Sequence, residues 1–412
     1  MKNKLMKNRL QGPLLFYRIG WMFITLVFSV SAIQAQELED YIEEAIQNNP
    51  SIQAIQQEYA ISTEQISEAK YLPNTQFLAG YMIGKTDMPM MQQGEFSVMQ
   101  SFPWFGTTAA RSQYAATMAN SDYLEIEITK RKVSMWIAQS YYRLYEIQQK
   151  QKVLDDNIEL LKVYERMALT SVEVGEASMV SVLRLQIRQN DLQEEKLVLD
   201  QKYIAETIIF NKLRNRHEGA EIKMVDSLVI PENSQEINVL SFDVHPEIAR
   251  YEQLHQIVSQ AEALNKKESA PDFGVGVEYM VFNESPNMLM PMVSLSIPIF
   301  NKKFKSITKQ HQIRKEQLQT QKIAIQNDLL SQLQSAISQR NAARISIHTH
   351  DKNLKQVDHA TEILLKTYET GTINFREVLD VQELGLRLQM NRVEAVSNYF
   401  KQTSVIKYFV ES

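Results

Sequence analysis

Ser101-Phe102-Pro103-Trp104-Phe105-Gly106 and Ser296-Ile297-Pro298-Ile299-Phe300-Asn301 are two versions of one phrase, 195 residues apart. Two further pairs of anchors flank them in the same order. Asn49-Pro50 and His245-Pro246 each open a helical stretch at an offset of 196. Glu173-Val174-Gly175 with Val182-Leu183 and Gln186 matches Glu369-Thr370-Gly371 with Val378-Leu379 and Gln382, again at 196. Three anchors in order at a nearly constant offset define a duplication. The first repeat is 36–216 and the second 244–412. Residues 217–243 join them, with Gly219, Pro231 and the polar run Glu232 to Glu236 breaking the helical pattern.

Each repeat reads as helix, β-hairpin, very long helix, turn, helix. The first is helical from Leu38 to Lys70 and stops at Leu72-Pro73. Strands follow at 75–84 and 94–103, then neither Gly nor Pro occurs from Thr107 to about Thr170. Such a helix spans roughly 96 Å at about 1.5 Å per residue. Gly175 turns the chain into a helix that returns to about Arg216. The second repeat starts its helix at Pro246, places strands near 273–282 and 289–299, and runs a helix from about Lys302 to Tyr368. A turn at Gly371 leads to the last helix. The faces of the long helices are rich in Gln, Glu, Lys and Arg, which suits coiled-coil packing around a wet interior.

Composition agrees with a helical chain. In 412 residues there are 12 Gly, 11 Pro and no Cys, against 44 bases and 49 acids, for a net charge of −5. The absence of Cys excludes disulfides, thiolate metal sites and a lipid-carrying N-terminal Cys. Residues 1–35 hold five bases (Lys2, Lys4, Lys7, Arg9, Arg18) and no acid, so the remainder has 39 bases against 49 acids and a charge of −10, unlike a nucleic-acid binder. The apolar run Ile19 to Ala32 after those bases, ending in small residues, predicts a secretory signal peptide over 1–35. Cleavage is expected after Ala35, or else after Ala32. An uncleaved anchor is the other reading, but the run is short for a membrane span. No Ser-His-Asp arrangement, phosphate loop, H-E-x-x-H or paired carboxylates occur, so neither an enzyme, a cofactor nor a metal centre is expected.

The strands alternate. Phe273, Val275, Val277, Tyr279 and Val281 interleave with Gly274, Gly276, Glu278 and Met280; Val293, Leu295, Ile297 and Ile299 interleave with Met292, Ser294, Ser296 and Pro298. Phe96, Val98 and Phe102 alternate with Glu95, Ser97 and Ser101, and Phe77, Tyr81 and Ile83 share a face. That pattern fits outer-membrane barrel strands, and equally a soluble half-buried sheet. Four strands are too few to close a barrel, whose smallest size is about eight. A dimer would give eight strands with a filled interior. A trimer would give twelve, with a lumen lined by Glu95, Ser97, Ser101, Glu278, Ser294 and Ser296, continued into the periplasm by the long helices. The fold expected is therefore mainly α with a small β part: a trimeric 12-stranded outer-membrane β-barrel continued by a periplasmic α-helical barrel.

The mature chain, about 37–410, resembles the outer-membrane efflux protein family, the TolC-like exit ducts of tripartite pumps. The resemblance rests on Leu38–Pro50 (LEDYIEEAIQNNP), the doubled strand-exit phrase, and the tip motifs Val172–Gln186 and Tyr368–Gln382 (YETGTINFREVLDVQ). It implies a homotrimeric channel-tunnel in the outer membrane of a Gram-negative cell, working passively with a periplasmic adaptor (membrane fusion) protein and an inner-membrane efflux transporter. It implies adaptor contacts at the tips, at Val174, Gly175, Glu176, Thr370, Gly371 and Thr372. It also implies a periplasmic constriction ring of Glu377 and Asp380, which share a helix face at spacing three; otherwise the two are solvated surface acids. An Arg–Asp closure used in the family is missing, since Ile373 and Ser181 hold those places, while Tyr368 is retained. Arg376 and Arg184 are candidates for a substitute lock. The cargo is read two ways, as drugs and other small molecules or as metal cations. The second draws on Met88, Met90, Met91, Met99, Met288, Met290 and Met292, with His348 and His350 available, since thioethers ligate Cu(I). The rival to a duct is a periplasmic coiled-coil scaffold or adaptor that does not enter a membrane.

Overall fold

The computed structural model describes residues 37–83, 92–175, 178–231, 245–283, 285–299, 302–369, 373 and 375–410. The expected signal peptide lies outside them, as do Glu176, Thr370, Gly371, Thr372, Met88, Met90 and Met91. The elements are α1 (37–48), α2 (Pro50–Glu68), β1 (Gln76–Tyr81), β2 (Gln92–Phe102), α3 (Thr107–Glu173), α4 (Met179–Leu213), α5 (Pro246–Glu268), β3 (Asp272–Phe282), β4 (Met288–Ser296), α6 (Lys303–Glu369) and α7 (Phe375–Val410). The order helix, two strands, 67-residue helix, helix runs twice. Among the described residues no helix is long and apolar enough to cross a membrane.

Two expectations need correction. The first helical stretch is not continuous, because Asn49 interrupts it: Pro50 has no N–H to continue the ladder and restricts the residue before it. The Asn49 side chain donates Nδ2–H to Leu213 O at 2.8 Å, so the break also ties the end of α1 to the end of α4. Similarly, β4 stops at Ser296 rather than reaching Ile299. Pro298 cannot donate to a ladder, and the Ile299 N–H turns back to Ile297 O at 2.9 Å.

The chain divides into two compact units. One holds Ser51–Thr129 and Leu240–Ser331 and contains the sheet; the other holds the chain to Pro50, Lys130–Val239 and Gln332–Glu411 and is helical. Within the helical unit, Leu154, Leu161 and Ala168 of α3 face Leu185, Leu192 and Leu199 of α4, and Phe375, Val378 and Leu386 of α7 complete the cluster. Both series recur every seven residues, the period of coiled-coil seams. Elsewhere in this unit Arg214 is 4% exposed and sits against the rings of Tyr41 and Phe210, 4.5 and 4.8 Å from their centroids. Its Nη1 pairs with Glu44 at 2.8 Å, compensating the cost of burying a charge.

The described part of the repeat junction does not hang free. Backbone N–H groups of Lys223, Val225 and Leu228 donate to the hydroxyls of Tyr41, Tyr141 and Tyr145 at 2.8, 3.2 and 3.2 Å. Three tyrosines on α1 and α3 therefore hold this strap, which carries its own polar backbone against the helices. Burial pushes the Tyr141 phenol up to about 12.

Candidate functional site

The four strands form one antiparallel sheet in the order β1-β2-β3-β4, so the hairpin of each repeat meets the other through β2 and β3. Opposed residues share a face of a sheet. Phe96 opposes Tyr279, Val98 opposes Val277, and Phe102 opposes Phe273; Val275 opposes Val293 and Phe273 opposes Leu295. These belong to one face, with Phe77 and Tyr81 of β1. It is apolar and open: Phe77 is 77% and Val293 81% exposed. On the other face Glu95 opposes Met280, Ser97 opposes Glu278, and Ser101 opposes Gly274, which opposes Ser294; Asp272 opposes Ser296. All six residues expected to line a lumen therefore lie together on this second face. The outer strands β1 and β4 have no strand partner on their far sides among the described residues. Pro291 lies in β4, an edge strand, where a missing N–H is tolerated.

The polar face also gathers methionines, of which the alternation pattern places Met280 and Met292. Met99 opposes Gly276, and Gly276 opposes Met292; Met290 opposes Glu278, and Met288 opposes Met280. Five thioethers thus share a face with three carboxylates, those of Glu95, Asp272 and Glu278. Gly274 and Gly276 make the room: a Cβ on Gly276 would lie 3.0 Å from Met99 Sδ, and one on Gly274 3.4 Å from the same sulfur. Ser294 Oγ lies 3.9 Å from that sulfur on the far side of β3. The glycines are legible in the sequence, but which side chain fills the space above them is set by the β2–β3 register. His348 and His350 lie on the part of α6 that belongs to the helical unit, and the methionine face belongs to the other unit.

At the first tip, Gly175 has φ +81°, a left-handed conformation that favours glycine, and Val174 beside it is exposed. Ser178 caps α4, its hydroxyl accepting from Val180 N–H at 3.3 Å. Past the second tip, Glu377 and Asp380 are exposed on the first turns of α7. Glu377 also suits the positive end of the helix dipole. Arg376 approaches Asp380 at 4.0 Å, with both side chains about two-thirds exposed, an arrangement of little energetic weight. Arg184 is exposed on α4. Tyr368 stacks edge-on against Phe375 at 5.0 Å and donates its hydroxyl to Ser171 Oγ at 2.8 Å. Nothing in the sequence singled out Ser171 as the partner. Between α3 and α7, Gln382 Nε2 donates to Asn157 Oδ1 at 2.9 Å, and Asn157 Nδ2 donates to Gln389 Oε1 at 2.9 Å.

Comparisons with known proteins agree with this geometry. Residues 257–403 match the family model described as outer membrane efflux protein. That match covers most of the second repeat. Among solved structures, CusC, described in terms of folding and transmembrane channel formation, is 12% identical with a TM-score of 0.78, covering 91% of this chain and 92% of its own. The outer membrane protein VceC of Vibrio cholerae is 14% identical at a TM-score of 0.76, covering 91% and 96%. The CmeC outer membrane channel of Campylobacter jejuni is 10% identical at 0.75, covering 91% and 85%. No curated protein sequence matches the chain. At these identities the likeness is one of fold, and it extends over nearly the whole described chain.

Proposed function

We propose that the protein is the outer-membrane channel-tunnel of a tripartite efflux pump. Three chains would contribute four strands each to one 12-stranded barrel, and the long helices would continue it as a periplasmic α-helical barrel. The observation that carries the reading is the sheet: one exposed apolar face, one polar face, and two edge strands with no strand partner beyond them among the described residues. A four-stranded sheet with such faces is completed by neighbours on both edges and by lipid on the apolar side. Transport would be passive, with an inner-membrane transporter supplying energy through a periplasmic adaptor that docks at the tips. Residues 1–35 serve as the signal peptide, 36–216 and 244–412 as the two repeats, and 217–243 as their junction.

The chain has no cysteine, which makes substituted-cysteine labelling clean. Ser97→Cys and Ser294→Cys should react with a water-soluble maleimide in outer-membrane preparations, whereas Val98→Cys and Val293→Cys should not. Equal reactivity at neighbouring positions, in protein recovered free from the periplasm, would instead support a soluble scaffold or adaptor.

The cargo has a second reading beside small organic molecules. The thioethers of Met99, Met280, Met288, Met290 and Met292 on the polar face favour soft metal cations as cargo, because sulfur ligands suit Cu(I)-like ions. Combined Met→Leu changes at Met99, Met290 and Met292 should raise the sensitivity of cells to silver while leaving sensitivity to an organic substrate unchanged. A parallel loss of both would mean a general effect on the channel.

A further inference from the structure

The end of the sheet where β2 and β4 leave and β1 and β3 enter carries a charge opposite to that of the chain as a whole. Lys302, Lys303, Lys305 and Lys309 follow β4, and no acid occurs from Ile297 to Gln310. Lys266 and Lys267 close α5 just before β3. These segments meet in space. Asn265 Nδ2 donates to Phe304 O at 3.0 Å and to Thr308 Oγ1 at 3.2 Å, packing the start of α6 on the end of α5. Lys267 Nζ reaches Phe105 O at 3.5 Å, joining the same place to the strand-exit phrase.

Phe304 and Thr308 take the inner side of α6, and Lys302, Lys305 and Lys309 are exposed. Lys305 and Lys309, four apart, share a stripe of α6, and Lys302 stands just before its first turn. None of these three forms an ion pair among the described residues, whereas Arg111 is matched by Glu268 at 3.0 Å and Lys266 by Glu262 at 3.4 Å. Beside the lysines stands an aromatic cluster continuous with the apolar sheet face: Phe102 stacks on Phe273 at 5.6 Å, Phe273 contacts Phe105 at 5.7 Å, and Phe105 contacts Trp104 at 5.8 Å. Phe105 is 74% exposed. An apolar band that ends in aromatic rings and then in unpaired ammonium groups matches the order of a lipid leaflet read from its acyl chains outward, through the interface, to phosphate.

We propose that this patch binds the headgroups of anionic phospholipid in the leaflet nearest the helices. Lys302, Lys305 and Lys309 hold the phosphates, and Trp104 and Phe105 sit at the interfacial level. The assignment rests on the reading that the apolar face meets lipid, which the cysteine labelling tests separately. The test is a lipid titration of the detergent-solubilised full chain, followed by thermal unfolding. Phosphatidylglycerol should raise the unfolding temperature at concentrations where phosphatidylcholine does not. Lys302→Gln, Lys305→Gln and Lys309→Gln combined, with helix content checked by circular dichroism, should need on the order of 100-fold more phosphatidylglycerol, at roughly 1 kcal/mol per lysine. For the wild type, about 1 M salt should erase the preference, since the screening length falls to about 3 Å. An equal response to both lipids, or an unaltered triple variant, would overturn the assignment. Inorganic phosphate reproducing the shift would make it a free-anion site, and poly-glutamate competing as well as the lipid would make it a surface for an acidic protein; either result also overturns it.

Discussion

The hydroxyl of Tyr368, the penultimate residue of α6, hydrogen-bonds Ser171 Oγ near the end of α3 at 2.8 Å. It joins corresponding long helices of the two repeats close to where each turns back. The ring of Tyr368 packs on Phe375 at the start of α7, and Phe375 packs on Tyr164 of α3. The contact thus belongs to a small hub holding three helices. With Ile373 and Ser181 unable to form an Arg–Asp pair, this hub is a tertiary restraint close to the ends of α3 and α6.

Tyr368→Phe keeps the ring packing and removes the bond, a loss of about 1 kcal/mol. In planar bilayers the variant is expected to spend more time in conducting states than the wild type. Ser171→Ala should act in the same direction, and the double variant should add little because both remove one contact. Identical gating in all four proteins would assign the bond to stability alone.

Glu377 and Asp380 are predicted to select and bind cations at the periplasmic mouth. Three copies of each would converge six carboxylates there, and rings of carboxylates set cation selectivity. Glu377→Ala with Asp380→Ala should weaken conductance block by multivalent cations at least tenfold. Block of undiminished strength would return these residues to ordinary solvated acids.

Gly276 and Gly80 are expected to differ sharply as sites of substitution. A Cβ on Gly276 would lie 2.5 Å from Val98 O, a backbone atom in the β2–β3 ladder, whereas one on Gly80 would meet the flexible Glu95 side chain at 3.0 Å. Gly276→Ala should cost about 1–3 kcal/mol through strain and reduce recovery of the assembled protein from outer membranes. Gly80→Ala should assemble normally. Equal recovery of both would show that the β2–β3 approach has slack.

Glu146 gives the helical unit a defined acid sensitivity. Burial works to raise its carboxyl, but Lys150 and Lys401, donating at 2.8 and 3.2 Å, outweigh that and hold it below the ordinary carboxylate range. A group with a depressed folded pKa stabilises the fold above its unfolded value and loses that contribution as pH falls through the folded one. Glu146→Gln should therefore lower stability by about 2 kcal/mol near neutrality. The difference from wild type should persist down to about pH 4.3 and close below it. Denaturant titrations at several pH values would check this, and a constant difference down to strongly acid pH would contradict it.

What could be read without coordinates was whatever depends on neighbours in sequence. The absence of Gly and Pro between Thr107 and Thr170 fixed a helix that proves to run Thr107–Glu173, because helix propagation is local and only a breaker ends it. Gly175 announced a left-handed turn for the same reason. The alternation of Phe273 to Val281 with small and polar residues defined two faces before any strand partner was known. Spatial structure alone decided which strands meet. The period-2 pattern is the same for any pairing, and register is a property of two segments at once. The β2–β3 contact, about 180 residues apart in the chain, gathered Met99, Met280 and Met292 on one face and packed Met99 over Gly276. Likewise Tyr368 was visible as a tip residue, but its bond to Ser171, the tyrosine-held strap at Lys223–Leu228, and the meeting of Lys267 with Phe105 join residues 80 to 200 positions apart. Those contacts follow from packing of the folded chain, and no local preference encodes them.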